Sequence, residues 1–306
     1  MWIFQEDFQY IFPIKEWKTP YNLAIFDLDQ TLIFYPSGKN IIPKDENDWE
    51  FFPNIMNILW DLVTKNYQLV IITNQKNISK IKEDMILNIW KKLEGYPLIL
   101  CATKDGIYRK PNIGLMTYLY SILIETPKSL FYCGDAVGIE DSFIPYRWSS
   151  TDKDFARNIN AIFYRPIDVF GSNFENITTD NQLVIMMGNQ GSGKTAIAKR
   201  LEKDHNYIRF SQDEIDKKIT SKKNIQYINS LLKEGKKIII DQCHSSNKSK
   251  EMWIELGYKT SILWCIREGR SWNKLREKPI PEIAYSTYSK YFEYPNYPNV
   301  EVIKIY

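Results

Sequence analysis

Short β-branched apolar runs recur along the chain, each followed by a turn and then by a stretch with helical spacing. The runs are Leu23–Phe26, Leu69–Ile72, Leu98–Leu100, Leu130–Tyr132, Leu183–Met186, Ile238–Ile240 and Ile262–Trp264. A strand with one wet face alternates apolar and polar residues. A continuous apolar run has no wet face, as in a parallel sheet covered on both sides. The intervening stretches 54–65, 78–93, 112–125 and 194–204 supply the covering helices. Such alternation predicts an α/β fold with sites at the C-terminal ends of strands. At about 150 residues per domain, a chain of 306 residues makes two units. The polar, turn-rich segment from Gly171 to Asn181 is the expected linker, giving domains 1–174 and 175–306. The chain shows no internal repeat.

Composition narrows what these units can do. Apolar residues at 44% and aromatics at 14% suffice for two buried cores and exclude wholesale disorder. No apolar run reaches about 18 residues, so neither a transmembrane helix nor a membrane partner is expected. The leading MWIFQEDFQYIF carries acids and no basic segment, unlike a signal peptide. A net charge of +3 excludes a strongly basic nucleic-acid coat and leaves room for a local basic groove. Cys101, Cys133, Cys243 and Cys265 lie far apart in or beside apolar runs, with no C-x-x-C pair. That suits reduced thiols in a reducing intracellular compartment, nucleus or cytoplasm. His205 and His244 are the only histidines, too few for a typical structural zinc site. Catalysis then rests on carboxylates, lysine, arginine and a hard metal ion.

The first apolar run ends in Asp27-Leu28-Asp29-Gln30-Thr31. Two carboxylates two apart at a strand end can share one side. One can attack phosphorus while the other, protonated, serves the leaving oxygen and later activates water. After the next run, the Thr73 hydroxyl and the backbone amides around Asn74 offer donors to phosphate oxygens. Lys110, within Tyr108-Arg109-Lys110-Pro111, offers those oxygens a point charge. Asp135, within Cys133-Gly134-Asp135-Ala136, can complete an oxygen-ligand site for Mg²⁺ with the first acids. Each fragment alone is common by chance, but their order, each at or just beyond a strand end, is specific.

This set resembles the haloacid dehalogenase (HAD) superfamily of phosphatases. The resemblance implies Asp27 as the nucleophile, forming an aspartyl-phosphate, and Asp29 as general acid and base. It implies Mg²⁺ held by Asp27, Asp135 and the backbone carbonyl of Asp29. Thr73 and Lys110 would stabilise the transferring phosphoryl group. Gln30 stands where many members have glycine.

A second site follows the run Leu183–Met187: Gly188-Asn189-Gln190-Gly191-Ser192-Gly193-Lys194-Thr195. This G-x-x-x-x-G-K-T lies between a strand and the helix-like Ala196–Leu201. Its glycines let backbone N–H groups curl around phosphates, and the helix N-terminus adds a positive dipole. In this P-loop, Ser192 joins the cradle, Lys194 reaches the β/γ-phosphates of ATP and Thr195 ligates Mg²⁺. A kinase must also activate an acceptor hydroxyl. Asp213 is the candidate base, and Asp241 can orient a Mg²⁺-bound water or substrate. The cation-dense stretch Arg267–Arg276 reads mostly as a solvated helix face, with Arg276 as the candidate cation over the transferring phosphate. The tyrosines at 285, 288, 291, 294 and 297 read as packing residues, leaving the helix before Pro295 and Pro298.

A phosphatase and a kinase on one chain would be futile on one shared position. They act productively on different ends of a nucleic-acid break. The whole chain resembles the polynucleotide kinase 3′-phosphatase family, through Ser37-Gly38-Lys39, Asp48-Trp49, Ala102-Thr103, Tyr108–Pro111 and Gly134-Asp135-Ala136. The resemblance continues through Ser149 to Asp152, the P-loop, Gln212-Asp213 and Leu275-Arg276-Glu277. It implies an α/β architecture: a HAD-like 3′-phosphatase domain, then a P-loop 5′-kinase domain using ATP and Mg²⁺. DNA strand-break ends are the implied substrate. RNA ends or a small metabolite are the alternatives, and a non-catalytic end-binding scaffold is the rival from another class. Asp152 would support the metal or Lys110, and Arg109 would face substrate. Gln242-Cys243-His244 replaces the Asn-Thr-Asn-like run of related kinases. With no room before residue 20 for a forkhead-associated domain, no partner recruited through one is expected, and the chain is expected to be a monomer. Its heavy use of Lys, Ile, Asn and Tyr suits an AT-rich genome, with a host cell as the setting if viral.

Overall fold

The computed structural model describes all residues except 15, 18–20, 37–42, 139–148, 172–176, 216–217, 267–278 and 306. The chain divides into Met1–Gly171 and Ser172–Tyr306, at the start of the polar Gly171–Asn181 segment. No described helix is long and apolar enough to cross a membrane.

The first unit runs β1 (Ile3–Phe4), β2 (Phe8–Ile11), β3 (Asn22–Phe26), β4 (Ile33–Phe34), β5 (Glu50–Phe51), α1 (Ile55–Thr64) and β6 (Tyr67–Asn74). It continues with α2 (Lys80–Lys92), β7 (Leu98–Ala102), α3 (Gly114–Ile122), β8 (Leu130–Cys133), α4 (Thr151–Asn158), β9 (Ile162–Tyr164) and α5 (Pro166–Phe170). Its main sheet has the order β1-β2-β7-β6-β3-β8-β9. The five strands from β7 to β9 are parallel, and β2 and β1 extend the sheet antiparallel at one edge. Side chains of β3 show why its run is continuous: Ala24 and Phe26 pack in one core, Leu23 and Ile25 in another. Period-2 alternation sends successive residues to opposite faces, and both faces are covered. Strand β3 lies between β6 and β8: the chain moves from β3 to β6 and β7 on one side, then crosses back to β8 on the other, so the strand order reverses beside β3. The crevice beyond such a strand is where α/β sheets place their ligands.

Helix α2 contributes one departure from pattern. Its buried residues are Lys82, Met85, Ile86, Ile89 and Trp90, a helical stripe with lysine where an apolar residue is expected. The Ser79 hydroxyl caps the helix by accepting from the Lys82 amide, which fixes Lys82 in the first turn.

The second unit holds β10 (Leu183–Gly188), α6 (Lys194–His205), β11 (Tyr207–Ser211), α7 (Lys222–Lys233), β12 (Lys237–Asp241), α8 (Asn247–Ile254), β13 (Thr260–Cys265) and β14 (Glu301–Ile305). The sheet order is β11-β12-β10-β13-β14, all parallel. Strand β10 is central and every residue in it is buried. Strand β14 is an edge that the apolar-run pattern does not announce, because its burial is only partial. Tyr285 and Tyr288 are buried in the helix Glu282–Lys290, whereas Tyr291 and Tyr294 are exposed. All four cysteines are free; Cys101, Cys133 and Cys265 are buried in strands and Cys243 is half-buried.

Candidate active sites

The loop after β3 is anchored by Leu28 and Leu32, both fully buried. The Asp27 amide donates to the Cys133 carbonyl at 2.9 Å, tying this loop to the end of β8. Gln30 adopts φ 60°, a left-handed conformation that glycine takes freely and other L-residues adopt at a cost of about 1–2 kcal/mol.

Around Asp27 the structure gathers residues from four strand ends. Lys110 Nζ lies 2.7 Å from Asp27 Oδ1, 2.7 Å from Asp152 Oδ1 and 2.6 Å from the Tyr132 hydroxyl. Tyr132 in turn donates to Asp152 Oδ1 at 2.7 Å. Asp152, in the first turn of α4, also accepts from the Ala136 amide at 2.9 Å. Asn74 accepts from the Lys110 amide at 2.9 Å and donates to the Lys110 carbonyl at 3.1 Å. The side chain of Asn74 thus clamps the lysine's backbone. The Thr73 hydroxyl is buried and accepts from Gln75 Nε2 at 2.7 Å. Arg109 is partly exposed beside Asp105, with Nε 3.4 Å from that carboxylate, and its buried Nη1 carries no hydrogen bond.

Carboxylate oxygens of Asp27, Asp135 and Asp152 lie within 4.8 Å of one another. Three carboxyl groups face the one ammonium of Lys110 in a largely buried place, and a divalent cation would offset their mutual repulsion. Burial pushes Asp27 well above the ordinary carboxylate range; Lys110 opposes this, and Asp152, Asp135 and Asp29 add to it. Burial works against the charge on Lys110, but Asp152 and Asp27 outweigh it and hold the lysine charged. The donor set is all oxygen, which fits Mg²⁺ rather than zinc. The side chain of Asp29 is not part of this carboxylate cluster.

Asp29 instead sits in a cage of donors. Lys82 Nζ donates to Asp29 Oδ1 at 2.7 Å, and the Tyr35 hydroxyl donates to the same oxygen. Gln75 Nε2 donates to Asp29 Oδ2 at 2.6 Å. Lys82 also donates to the Tyr35 hydroxyl. Burial and the neighbouring Asp29 push the Tyr35 phenol up, so it remains a neutral donor.

In the second unit the loop after β10 takes the shape that its glycines allow. Gly188, Gly191 and Gly193 have φ of 143°, 74° and 98°. A methyl on Gly188 would come within 2.5 Å of the Cys265 carbonyl and 2.7 Å of Ser192 Oγ, so only glycine fits where β13 passes. Lys194 opens α6 and donates to the Asn189 carbonyl at 2.5 Å, folded back over the loop. Thr195 follows it in the first turn of α6. The Ser192 hydroxyl is buried with no hydrogen-bond partner among the described residues. These first-turn amides and the cationic lysine form an anion cradle.

Asp213 lies in a short 3-10 turn, Gln212–Glu214, directly after β11. It is exposed. Asp241 is buried at the end of β12, next to β10. Arg209 Nη1 donates to Asp241 Oδ2 at 2.8 Å, and Arg209 also pairs with Glu214. Arg209 thus pairs with both Glu214, next to Asp213, and Asp241, a partner that the sequence did not reveal. The segment after β12 is pinned to the P-loop strand. Gly188 N donates to the Cys243 carbonyl at 3.2 Å, and His244 Nδ1 contacts the Met186 carbonyl at 2.8 Å. Burial pushes His244 down to about 4, so the ring is neutral at physiological pH. Arg276 lies outside the described residues.

Sequence relationships agree with this arrangement. Residues 22–170 match the family model described as polynucleotide kinase 3 phosphatase. A bifunctional polynucleotide phosphatase/kinase from Schizosaccharomyces pombe is 29% identical over 332 aligned positions, covering 92% of this chain and 78% of its own. A putative bifunctional polynucleotide phosphatase/kinase from Acanthamoeba polyphaga mimivirus is 26% identical, covering 78% of this chain and 69% of its own. An uncharacterised 20.8 kDa protein of Autographa californica nuclear polyhedrosis virus is 32% identical over 54% of this chain and 94% of its own. The matched span 22–170 contains every residue of the Asp27–Lys110–Asp152 cluster, and that span of the chain belongs to the polynucleotide kinase 3 phosphatase family.

Proposed function

We propose that the chain processes both ends of a nucleic-acid break, with DNA as substrate. The first unit removes a 3′-phosphate and the second phosphorylates a 5′-hydroxyl with ATP. The observation that carries this reading is that one chain holds both the Asp27–Lys110–Asp152 cluster at the end of β3 and the P-loop at the end of β10. The two activities act on opposite sides of a break, and together they leave ends that a ligase accepts.

In the phosphatase, Asp27 attacks phosphorus, and the bond from phosphorus to the 3′-oxygen breaks. Asp29 gives its proton to that oxygen. Water then attacks the aspartyl-phosphate, and Asp29 takes the proton back. Lys110 holds the phosphoryl oxygens, while Asp152 and Tyr132 hold Lys110. Thr73 lies at the end of β6 on the same side and offers its hydroxyl to those oxygens. Mg²⁺, held by Asp27, Asp135 and Asp152 with the carbonyl of Asp29, would neutralise charge on the transferring group. Arg109 faces the incoming strand. In the kinase, the P-loop amides from Gly188 to Gly193 cradle phosphates, Lys194 neutralises the β/γ-oxygens, and Thr195 gives a hydroxyl ligand to Mg²⁺. Asp213 accepts the proton of the attacking hydroxyl, Asp241 would orient a Mg²⁺-bound water or the substrate, and Arg276 is the cation assigned to the transferring group.

A substrate panel tests the reading. A 3′-phosphorylated DNA oligonucleotide, its RNA counterpart and a 3′-mononucleotide are compared for dephosphorylation, and 5′-hydroxyl forms for phosphorylation. The DNA oligonucleotide is expected to be preferred in both. Preference for RNA, or equal turnover of the mononucleotide, would replace DNA as substrate. EDTA should stop both reactions, and Mg²⁺ should restore them; full activity after chelation would sink the metal assignment.

The cluster also predicts a sensitive glycine. A methyl on Gly134 would lie 2.5 Å from the Asp152 carboxyl carbon, too close to be accommodated without moving the acid. Displacing Asp152 displaces Lys110, and a shift of about 1 Å in such a group can cost about 100-fold. Gly134→Ala should lower phosphatase kcat by about 10- to 100-fold with kinase turnover unchanged. Normal phosphatase kinetics would mean that Asp152 does not position Lys110.

A further inference from the structure

Lys82 is only 4% exposed, at the head of the apolar stripe of α2, and belongs to none of the motifs that the sequence singles out. An ammonium is not buried there without a partner. Its partners are Asp29 and Tyr35. Asp29 Oδ1 accepts from both Lys82 and Tyr35, which uses its two lone pairs. Among the described residues Asp29 Oδ2 accepts from Gln75 alone, which leaves one lone pair for a proton in transit. The side chain of Asp29 is 25% exposed, so substrate can reach it. The donors come from the segment after β4, the end of β6 and the first turn of α2, and together they fix the rotation of the carboxylate.

We infer that Lys82 is a positioning residue of the phosphatase: with Tyr35 it pins Asp29 Oδ1, so that Oδ2 is the oxygen presented to the leaving group. The inference rests on Asp29 as the group that serves the leaving oxygen. In that step the phosphorus–oxygen bond breaks, the electron pair goes to the leaving oxygen, and the proton on Oδ2 follows it. Without Lys82, Oδ1 keeps only the Tyr35 hydroxyl and Oδ2 the Gln75 amide, so the carboxylate is held less firmly and Oδ2 is less often in register.

Leaving-group dependence separates this role from mere support of the fold. A 3′-alkoxide needs a proton as it leaves, whereas p-nitrophenolate departs without one. Single-turnover reactions of the full chain would follow release of the free 3′-hydroxyl from a 3′-phosphorylated oligonucleotide, and the nitrophenolate burst from p-nitrophenyl phosphate. Lys82→Met should slow 3′-hydroxyl release by about 10- to 100-fold, within the range general-acid groups supply, and leave the burst within about twofold. Tyr35→Phe should slow release by about 3- to 10-fold in the same selective way, since the Lys82–Asp29 pair survives. Asp29→Asn is the control: selective loss on the oligonucleotide supports the acid role, and equal loss on both substrates removes it. If Asp29→Asn is selective and Lys82→Met slows neither substrate, slows both equally, or speeds the oligonucleotide, the positioning role is overturned while the role of Asp29 stands.

Discussion

Asp27→Asn should abolish removal of 3′-phosphate, by a factor on the order of 10⁴–10⁶, which is what loss of a covalent nucleophile costs. Asparagine has nearly the shape of aspartate, and its carbonyl oxygen can still accept from Lys110. The cluster of Lys110, Tyr132 and Asp152 then persists. An amide oxygen is nonetheless a poor nucleophile toward phosphorus, and no second carboxylate stands in the position of Asp27. Phosphorylation of 5′-hydroxyl ends should stay within about twofold, because the P-loop unit has its own core around Val184, Met186, Ile197 and Leu201. Lys194→Ala should do the reverse, with 3′-phosphate removal preserved. Gel separation of end-labelled oligonucleotides reads both reactions in one lane. Loss of both activities from either substitution, in a chain whose circular dichroism is unchanged, would contradict the assignment of separate sites.

The second large effect is expected at Asp213. A hydroxyl is a weak nucleophile at neutral pH, and a positioned base contributes about 10²–10⁴-fold. Three acids lie near the end of β11 and β12, and their partners distinguish them. Asp241 and Glu214 are both paired with Arg209, which holds Glu214 below its ordinary range. Asp213 has no such ion pair among the described residues and is exposed to an incoming strand. Asp213→Asn should therefore lower kcat for 5′-phosphorylation by about 10²–10⁴-fold with ATP affinity nearly unchanged, since Lys194 and Thr195 still hold the nucleotide. Titration with a fluorescent ATP analogue alongside steady-state kinetics separates the two quantities. Weakened nucleotide binding with kcat preserved would make Asp213 a nucleotide or metal contact.

Much of both sites was legible because the chemistry is local. The P-loop needs consecutive amides, glycines at left-handed positions and a lysine opening a helix. All of these lie within Gly188–Thr195 and fold there. The acids and lysine around Asp27 are dispersed, but each follows a strand whose apolar run is plain in the sequence. A parallel sheet then brings strand ends together, so knowing the strands was enough to place Asp27, Thr73, Lys110 and Asp135 at one edge. The antiparallel β1 and β2 and the final β14 were not legible. Strands β1 and β14 are edges with partial burial, so their runs carry a weaker apolar signal, whereas β2 is buried throughout but its apolar run is broken by Gln9.

What the sequence by itself determined is the succession of apolar strands along the chain and the candidate site residues that follow them. Those follow from contiguous patterns that the backbone reads locally. The tertiary structure alone decided which side chains hold the reactive ones. Lys82 reaches Asp29 across 53 residues, Gln75 across 46, and Arg209 meets Asp241 across 32. One signal for Lys82 did stand in the sequence, a lysine on the stripe that continues through Met85, Ile86 and Ile89. That position says only that a charge will be buried. Which carboxylate it meets is set by how α2 packs across the end of the sheet, because a buried ammonium takes whichever partner the packing brings within reach.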